Sequence, residues 1–161
     1  MCPSSASNRT LVEWGQEVDE SRRLIDELGL AKHVQWVSTL NRTQLWAAYR
    51  SADVVVDQFV VPALGGVGYE ALTLGARLLT RLDEPTLATF FGKAPPVLNA
   101  STVAEVVACL RTVIDDPDDR AELGKRAREW ALEYHSTRRL FDLQLAAYRQ
   151  MLETATMAAA A

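Results

Sequence analysis

The fold is decided by the segment 51–80, whose sequence is SADVVVDQFVVPALGGVGYEALTLGARLLT. Three consecutive valines at 54–56, followed directly by the polar residue Asp57, predict a strand that is buried on both faces. A glycine-rich loop and a short helix ending at Gly75 come next, and residues 77–80 predict a second buried strand. Such a unit brings backbone N–H groups and polar side chains to the carboxyl edge of a parallel sheet. Open α/β sheets bind nucleotides and sugars at that edge.

Outside this segment, the hydrophobic pattern predicts three more strands and five more helices. The predicted strands span residues 10–14, 33–37, 54–57, 77–80 and 97–99, and the predicted helices begin near residues 17, 41, 65, 102, 116 and 136. Asn41 with Gln44, and Thr102 with Glu105, predict capping boxes, whereas residues 83–94 are predicted to be irregular. The alternation of strands and helices along the chain predicts an α/β fold. We expect one open parallel sheet of about five strands with helices on both faces, followed by a helical C-terminal tail.

The composition is typical of a globular domain, with 48% apolar residues among 161 and a net charge of −4. This length predicts one domain over residues 10–153, with a flexible N-terminus at 1–9 and a flexible tail at 154–161. No apolar run approaches the roughly 18 residues that span a bilayer, and the first residues lack a secretion signal, so we expect a cytoplasmic protein. The absence of a dense basic cluster argues against a nucleic acid partner. Two distant cysteines, Cys2 and Cys109, argue against a disulfide framework or a metal set.

Several segments, taken in order, resemble one protein family. They are LIDELGL at 24–30, VQWVSTLNRTQLWAAYRSADVVVDQF at 34–59, GVGYEALTLGARLLT at 66–80, and TVAEVVACLRTVIDDPDDRAELGKRAREWALEYHS at 102–136. Together they resemble the C-terminal, donor-binding domain of a GT-B fold glycosyltransferase of the retaining, glycogen-synthase-like type, truncated at its N-terminal side. The resemblance implies a Rossmann-like half of such an enzyme, which binds a nucleotide-diphosphate sugar and uses no metal cofactor.

The resemblance implies a donor site centred on Glu70. In such enzymes the corresponding glutamate, the second of a pair, accepts hydrogen bonds from the ribose hydroxyls of the donor. A glycine-rich loop brings backbone N–H groups close to the donor sugar and the diphosphate. The implied nucleotide-sugar-binding residues are Glu70, Gly65, Gly66, Gly68 and Asp57, with no catalytic residue and no metal ligand among them.

The sequence departs from the family pattern in two ways. Pro62 stands where the first glutamate of the pair is expected, and Asp57 and Gln58 are the nearby polar side chains that could replace it. The chain has no counterpart of the family's diphosphate-binding arginine and lysine, or of its acceptor domain. We therefore expect the chain to transfer hexosyl groups only with a separate acceptor domain and to be inactive alone.

The same residues also have simpler structural interpretations. Glu70 fits a first-turn acid that stabilises a helix dipole, the glycines fit a plain strand-to-helix turn, and Asp57 fits a loop residue after a strand. The alternative function is a non-catalytic, oligomeric interaction module derived from a glycosyltransferase. Without the central strand of a doubly wound sheet, the strands either close up in the order 2-1-3-4-5 or leave open edges. We expect a homodimer through such an edge or through the last helix.

Overall fold

The structure, a computed structural model, describes residues 9–159, apart from the side chains of residues 117–120 and 158–159. The chain divides into two compact units, Met1–Leu45 and Trp46–Ala161. Most of the predicted flexible N-terminus, residues 1–8, lies outside the described residues, and so does the start of the chain on which the predicted cytoplasmic location rests. Both therefore stay predictions.

The first unit contains two parallel strands and one α-helix. Strand β1 (Arg9–Val12) leads into helix α1 (Val18–Glu27), and a 3₁₀ turn at Ala31–His33 leads into strand β2 (Val34–Val37). The two strands pair in register from Arg9 with Val34 to Val12 with Val37. Within residues 9–45, no described residue is buried. One face of Trp36 is covered by the guanidinium of Arg22, which lies 4.4 Å from the ring centroid and also pairs with Glu13.

The second unit contains a three-stranded parallel sheet. Helix α2 (Arg42–Ser51), which begins in the first unit, precedes strand β3 (Val55–Val56); helix α3 (Gly66–Thr73) then leads to strand β4 (Leu78–Thr80). Strand β5 (Leu98–Asn99) completes the order β3-β4-β5. All three residues of the central strand β4 are fully buried. The core of this unit therefore lies around β4.

Of the two alternative strand arrangements, closure in the order 2-1-3-4-5 does not occur, because β1 and β2 belong to one sheet and β3, β4 and β5 to another. Two sequence predictions about this part of the chain are wrong. The strand at 54–57 is buried on one face only, since Val55 is 6% exposed and Val56 is 52% exposed. The second error concerns residues 83–94.

Residues 83–94 are not irregular but contain helix α4 (Glu84–Phe91). Asp83 is its N-cap and accepts a hydrogen bond from the backbone N–H of Thr86 at 3.2 Å, and Gly92 ends the helix with φ of 76°. Pro85 lies in the first turn, where a missing N–H costs nothing. The proline was therefore compatible with a helix.

Three helices form the C-terminal part: α5 (Val103–Asp115), α6 (Pro117–His135) and α7 (Thr137–Ala159). Both predicted capping boxes form, at Asn41 with Gln44 and at Thr102 with Glu105. Helix α6 packs on α3 so closely that a Cβ atom on Gly124 would overlap the carbonyl oxygen of Gly75. Residues 154–159 of the predicted flexible tail are helical, and residues 160 and 161 lie outside the described residues.

The predicted fold class is confirmed: the protein is α/β, with parallel strands, interspersed helices and a helical C-terminal tail. Among residues 9–159, no helix combines the length and the apolar character that crossing a membrane would require.

Candidate functional site

The predicted site residues lie around the N-terminus of α3, in the second unit. Strand β3 ends at Val56, and the chain returns at Gly65, which is the N-cap residue of α3 and has an extended backbone. Gly65 has no side chain to cap the helix. The first N–H groups of any α-helix lack intrahelical acceptors, so the start of α3 offers several backbone donors in one direction.

Glu70 lies in the second turn of α3 and is half-buried. The indole N–H of Trp46 donates a hydrogen bond to its Oε2 at 3.2 Å. The interpretation of Glu70 as a first-turn acid is wrong, because α3 begins at Gly66 and its first turn contains no acidic residue. The carboxylate is instead held by a side chain from α2, 24 residues earlier in the chain.

Asp57 lies directly against the glycines of the loop and helix start. A Cβ atom on Gly65 would stand 3.5 Å from Oδ2 of Asp57, and a Cβ atom on Gly68 would stand 3.2 Å from the same oxygen. A Cβ atom on Gly68 would also approach Leu64 to 2.9 Å, so only glycine fits there without a shift. By contrast, Gly66 is exposed and has open space around it.

The Oδ2 atom of Asp57 is buried and has no hydrogen-bond partner in the structure. Buried carboxylate oxygens normally have a partner, so an orphan of this kind needs an explanation. Its backbone N–H is used in the sheet, where it donates to the carbonyl of Leu79 at 3.0 Å.

Tyr49 connects the two carboxylates electrostatically. Burial raises the pKa of its hydroxyl, and the nearby charges of Glu70 and Asp57 raise that pKa further. Asp57 and Glu70 are therefore both within electrostatic reach of one buried phenol. The site thus consists of Asp57 and Glu70 around the glycine turn, with Trp46 and Tyr49 of α2 behind them.

Trp46 and Tyr49 were not predicted as site residues. They are three positions apart on α2 and so lie on neighbouring positions of one helix face. The sequence predicted a helix beginning near residue 41, but nothing in it linked this helix to Glu70.

Gln58, one of the two suggested replacements for the missing first glutamate, is occupied by its own loop. Its side-chain Nε2 donates to the backbone carbonyl of Ala63 at 2.9 Å, and its backbone carbonyl accepts from the hydroxyl of Thr80 at 2.9 Å. Pro62 is exposed, and its carbonyl accepts from the N–H of Asp83 at 3.0 Å. Of the two suggested replacements, Asp57 is the one with an unused buried oxygen.

Next to Glu70, Tyr69 takes part in a separate aromatic cluster around His135. The ring centroids of Tyr69 and His135 are 4.5 Å apart, and Phe91, Trp130 and Tyr134 complete the cluster. The Nε2 atom of His135 is buried without a hydrogen-bond partner, and burial, then the charge of Arg139, lowers the pKa of the imidazole. Among the residues that the structure describes, no three His, Cys, Asp or Glu side chains are grouped so as to hold a metal ion.

Comparison with known proteins gives three similarities. Residues 4–130 match the family model described as Glycosyl transferases group 1. The chain is 26% identical over 114 residues to D-inositol 3-phosphate glycosyltransferase of Corynebacterium glutamicum (strain R), covering 70% of this chain and 27% of that protein. Its structure is similar to sucrose-phosphate synthase from Thermosynechococcus elongatus, with a TM-score of 0.69, 19% identity, and coverage of 90% of this chain and 38% of the other.

The chain therefore spans less than two fifths of the length of either of these two proteins. The matches confirm the resemblance to a GT-B glycosyltransferase domain that the sequence segments predicted.

Proposed function

Because the chain belongs to the glycosyl transferases group 1 family, we propose that it is a donor-binding domain for a nucleotide-diphosphate sugar. The observation that carries the proposal is the position of Glu70. Its carboxylate is fixed by the indole of Trp46, on the same short helix whose N-terminus has no side-chain cap. A carboxylate and a set of backbone donors are the two groups that a ribose linked to a diphosphate needs.

In this proposal Glu70 accepts hydrogen bonds from the ribose hydroxyls. The hydrogen bond from Trp46 orients the carboxylate, so less conformational freedom is lost when the donor binds. A carboxylate hydrogen bond to a hydroxyl is charge-assisted and stronger than one between neutral groups.

The diphosphate would lie at the start of α3, where Gly65 and Gly66 leave the backbone accessible. When the sugar is transferred, negative charge develops on the leaving diphosphate. Backbone N–H groups that already point at this position, together with the helix dipole, stabilise that charge without reorganising.

Asp57 supports the same proposal. Its orphan Oδ2 lies against Gly65 and Gly68, and a sugar hydroxyl is a donor that could complete it. In this proposal Asp57 binds the donor sugar, in place of the glutamate that the family has at the position of Pro62.

We further propose that transfer itself needs an acceptor-binding part that these residues do not supply. The support is the short span of the chain against its relatives, at 27% and 38% of their lengths. The proposal includes no metal ion, because the N-terminus of α3 stabilises the charge of the diphosphate in it.

Calorimetric titration with UDP, GDP and ADP, and with their sugar conjugates, tests the proposal. We expect one of these ligands to bind, and Glu70→Ala to weaken its binding by about 10- to 100-fold, as expected for the loss of hydrogen bonds to a charged group. Glu70→Gln keeps the shape of the side chain but removes its charge, so the affinity of this variant should lie between those of the wild type and Glu70→Ala.

The matched control is Glu129→Ala, which removes an exposed glutamate from α6 and should bind as the wild type does. A folded wild-type chain that binds none of these ligands would overturn the proposal. Equal losses for Glu70→Ala and Glu129→Ala would show that binding occurs elsewhere.

The second candidate function is a non-catalytic interaction module. The specific observation in its favour is helix α7, which exposes several large apolar side chains, among them Phe141 at 61% and Leu152 at 68%. This candidate requires a stable oligomer and no ligand binding, so the same titration separates it from the first.

A further inference from the structure

The loop 58–63, between β3 and α3, is held at every backbone carbonyl. It lies at the surface, where Val60 is 84% exposed, so water could satisfy these carbonyls. Each of them nevertheless accepts a hydrogen bond from a protein donor. Surface loops are generally mobile, so the complete pairing indicates one fixed conformation. The distances from donor to carbonyl oxygen are 2.9 and 3.1 Å at Gln58, 3.4 Å at Phe59 and at Val60, 2.8 Å at Val61, 3.0 Å at Pro62 and 2.9 Å at Ala63.

Most of these donors come from the residues at the carboxyl end of β4. The hydroxyl of Thr80 and the backbone N–H of Arg81 both donate to the carbonyl of Gln58. The Nη1 atom of Arg81 also faces the carbonyls of Phe59 and Val60, at 3.4 Å from each. Hydrogen bonds of that length are individually weak, but the positive guanidinium attracts the negative ends of both carbonyl dipoles. Arg81 therefore holds three consecutive carbonyls of the loop.

The loop separates two parts of the proposed donor site. Asp57 directly precedes it, and Gly65, the N-cap residue of α3, follows two residues after its end. Gln58 connects the two ends: its Nε2 donates to the carbonyl of Ala63, and the same atom lies 3.8 Å from the position of a Cβ atom on Gly65. The position of Asp57 relative to the start of α3 therefore depends on the conformation of the loop.

The carboxylate of Glu70 is held by a different contact. It accepts a hydrogen bond from Trp46, which belongs to α2 and not to the loop. The proposed function assigns the ribose to Glu70, and the sugar and the diphosphate to Asp57 and the start of α3. A change in the loop should therefore affect the binding of the sugar and the diphosphate and leave the binding of the ribose intact.

We propose that Arg81 is a positioning residue of the donor site, which fixes the loop 58–63 and thereby sets Asp57 against the N-terminus of α3. The inference rests on the proposed function and deepens it, because Arg81 acts through the loop and does not touch the donor. Groups that bind a ligand have to be held within about 0.5 Å of their productive positions. Arg81 is half-buried and follows the fully buried residues of β4, so its side chain can be shortened without emptying the core.

Calorimetric titration with UDP-, GDP- and ADP-glucose tests the proposal, together with a nuclear magnetic resonance titration with uridine, guanosine and adenosine. We expect Arg81→Ala to raise the dissociation constant of the nucleotide sugar that binds by about five- to tenfold, less than the loss of a direct contact to a charged group. The affinity for the matching nucleoside, which has a ribose but neither diphosphate nor sugar, should not change. Glu70→Ala should weaken the binding of both ligands.

Two further variants separate positioning from general packing. Arg81→Lys keeps the positive charge but lacks the planar fork of donors, so it should restore part of the lost affinity. Thr80→Val removes the hydroxyl that donates to the carbonyl of Gln58 and keeps a similar shape, so it should also weaken the nucleotide sugar and not the nucleoside. The matched control is Arg111→Ala, which removes an exposed arginine from α5 and should bind as the wild type does.

Hydrogen exchange measures the response of the loop itself. In Arg81→Ala, the backbone N–H groups within residues 58–65 should exchange faster than in the wild type, whereas those of β4 should stay protected. An unchanged affinity of Arg81→Ala for the nucleotide sugar would overturn the proposal, as would equal losses for the nucleotide sugar and the nucleoside.

The two proposals fail in different ways. A folded wild type that binds neither nucleotide sugars nor nucleosides would overturn the donor-binding function and this inference with it. A wild type that binds them, with Glu70→Ala weakened and Arg81→Ala unaffected, would overturn only the inference.

Discussion

The two units of the protein use the same strand–helix–strand plan, but only the second has a buried core. In the first unit, β1 and β2 are four residues long, and none of the described residues 9–45 is buried. In the second, β4 has only three residues, and all of them are fully buried. Strand β4 has a strand on each side, whereas β1 and β2 each pair on one side only. The length of a strand therefore does not decide its burial here.

The tryptophans show the same contrast. Trp130 is 3% exposed, and its indole N–H donates to the carbonyl of Lys93 at 2.9 Å. Trp36 is only half-buried, and the side chain against its ring is the charged Arg22. A guanidinium can stack on an indole while staying in contact with water, so this contact does not require a closed core.

The largest expected effect is the loss of stability when a core side chain of the second unit is shortened. The same change in the first unit should have almost no effect. Leu79→Ala empties a fully buried position in β4, and we expect the free energy of unfolding to fall by about 2–5 kcal/mol. Leu24→Ala in α1 removes a side chain that is 54% exposed, and we expect a change within about 0.5 kcal/mol. Urea denaturation of both variants measures the difference. Similar losses for the two variants would show that the first unit also has a core in solution.

A smaller effect is expected where two helices of the second unit touch. Gly124→Ala would place a Cβ atom on the carbonyl oxygen of Gly75, and a backbone atom cannot move aside as a flexible side chain can. We expect a loss of about 1–3 kcal/mol, typical of overpacking. The control is Gly29→Ala in the first unit, where φ is +67° but no atom lies within 4 Å, so only backbone strain is added. A thermal midpoint for Gly124→Ala equal to that of the wild type would contradict the close packing of α3 and α6.

The sequence predicted local features of this fold well. Both capping boxes, the termination of α3 just before Gly75 and all five strands follow from patterns within a few residues of one another. The errors concern relations between distant segments. The exposure of Val56 depends on which distant segments cover that face of β3, and the division into two sheets depends on which strands pair. No periodicity within a segment contains that information.

The candidate site shows the same division between local and distant information. The glycines and Asp57 were found because they follow one another at the end of a strand, and the structure brings Asp57 against Gly65 and Gly68. The hydrogen bond from Trp46 to Glu70 joins residues 24 positions apart on different helices, and periodicity gives no sign of it. Helix α4 was missed although its signals are local: Asp83 is its N-cap, and Pro85 lies in the first turn, where a proline is acceptable.

The smallest expected effect is a dependence of stability on pH that arises in the second unit. His135 lies among the rings of Tyr69, Phe91, Trp130 and Tyr134, and burial followed by the charge of Arg139 lowers the pKa of its imidazole. Below a pH of about 6.5, the usual histidine pKa, the unfolded chain therefore takes up the proton more readily than the folded one, and acid favours unfolding. Above that pH both states are neutral, and this contribution is constant.

Urea midpoints at pH values above and below about 6.5 measure this dependence. The wild type should lose more stability on acidification than His135→Gln, which has no imidazole to protonate. His33→Gln removes the histidine of the first unit and should keep the wild-type dependence, because His33 takes no part in the aromatic cluster. If His33→Gln abolished the dependence and His135→Gln kept it, the pH-sensitive packing would belong to the first unit. The contrast in burial between the two units would then be wrong at their histidines.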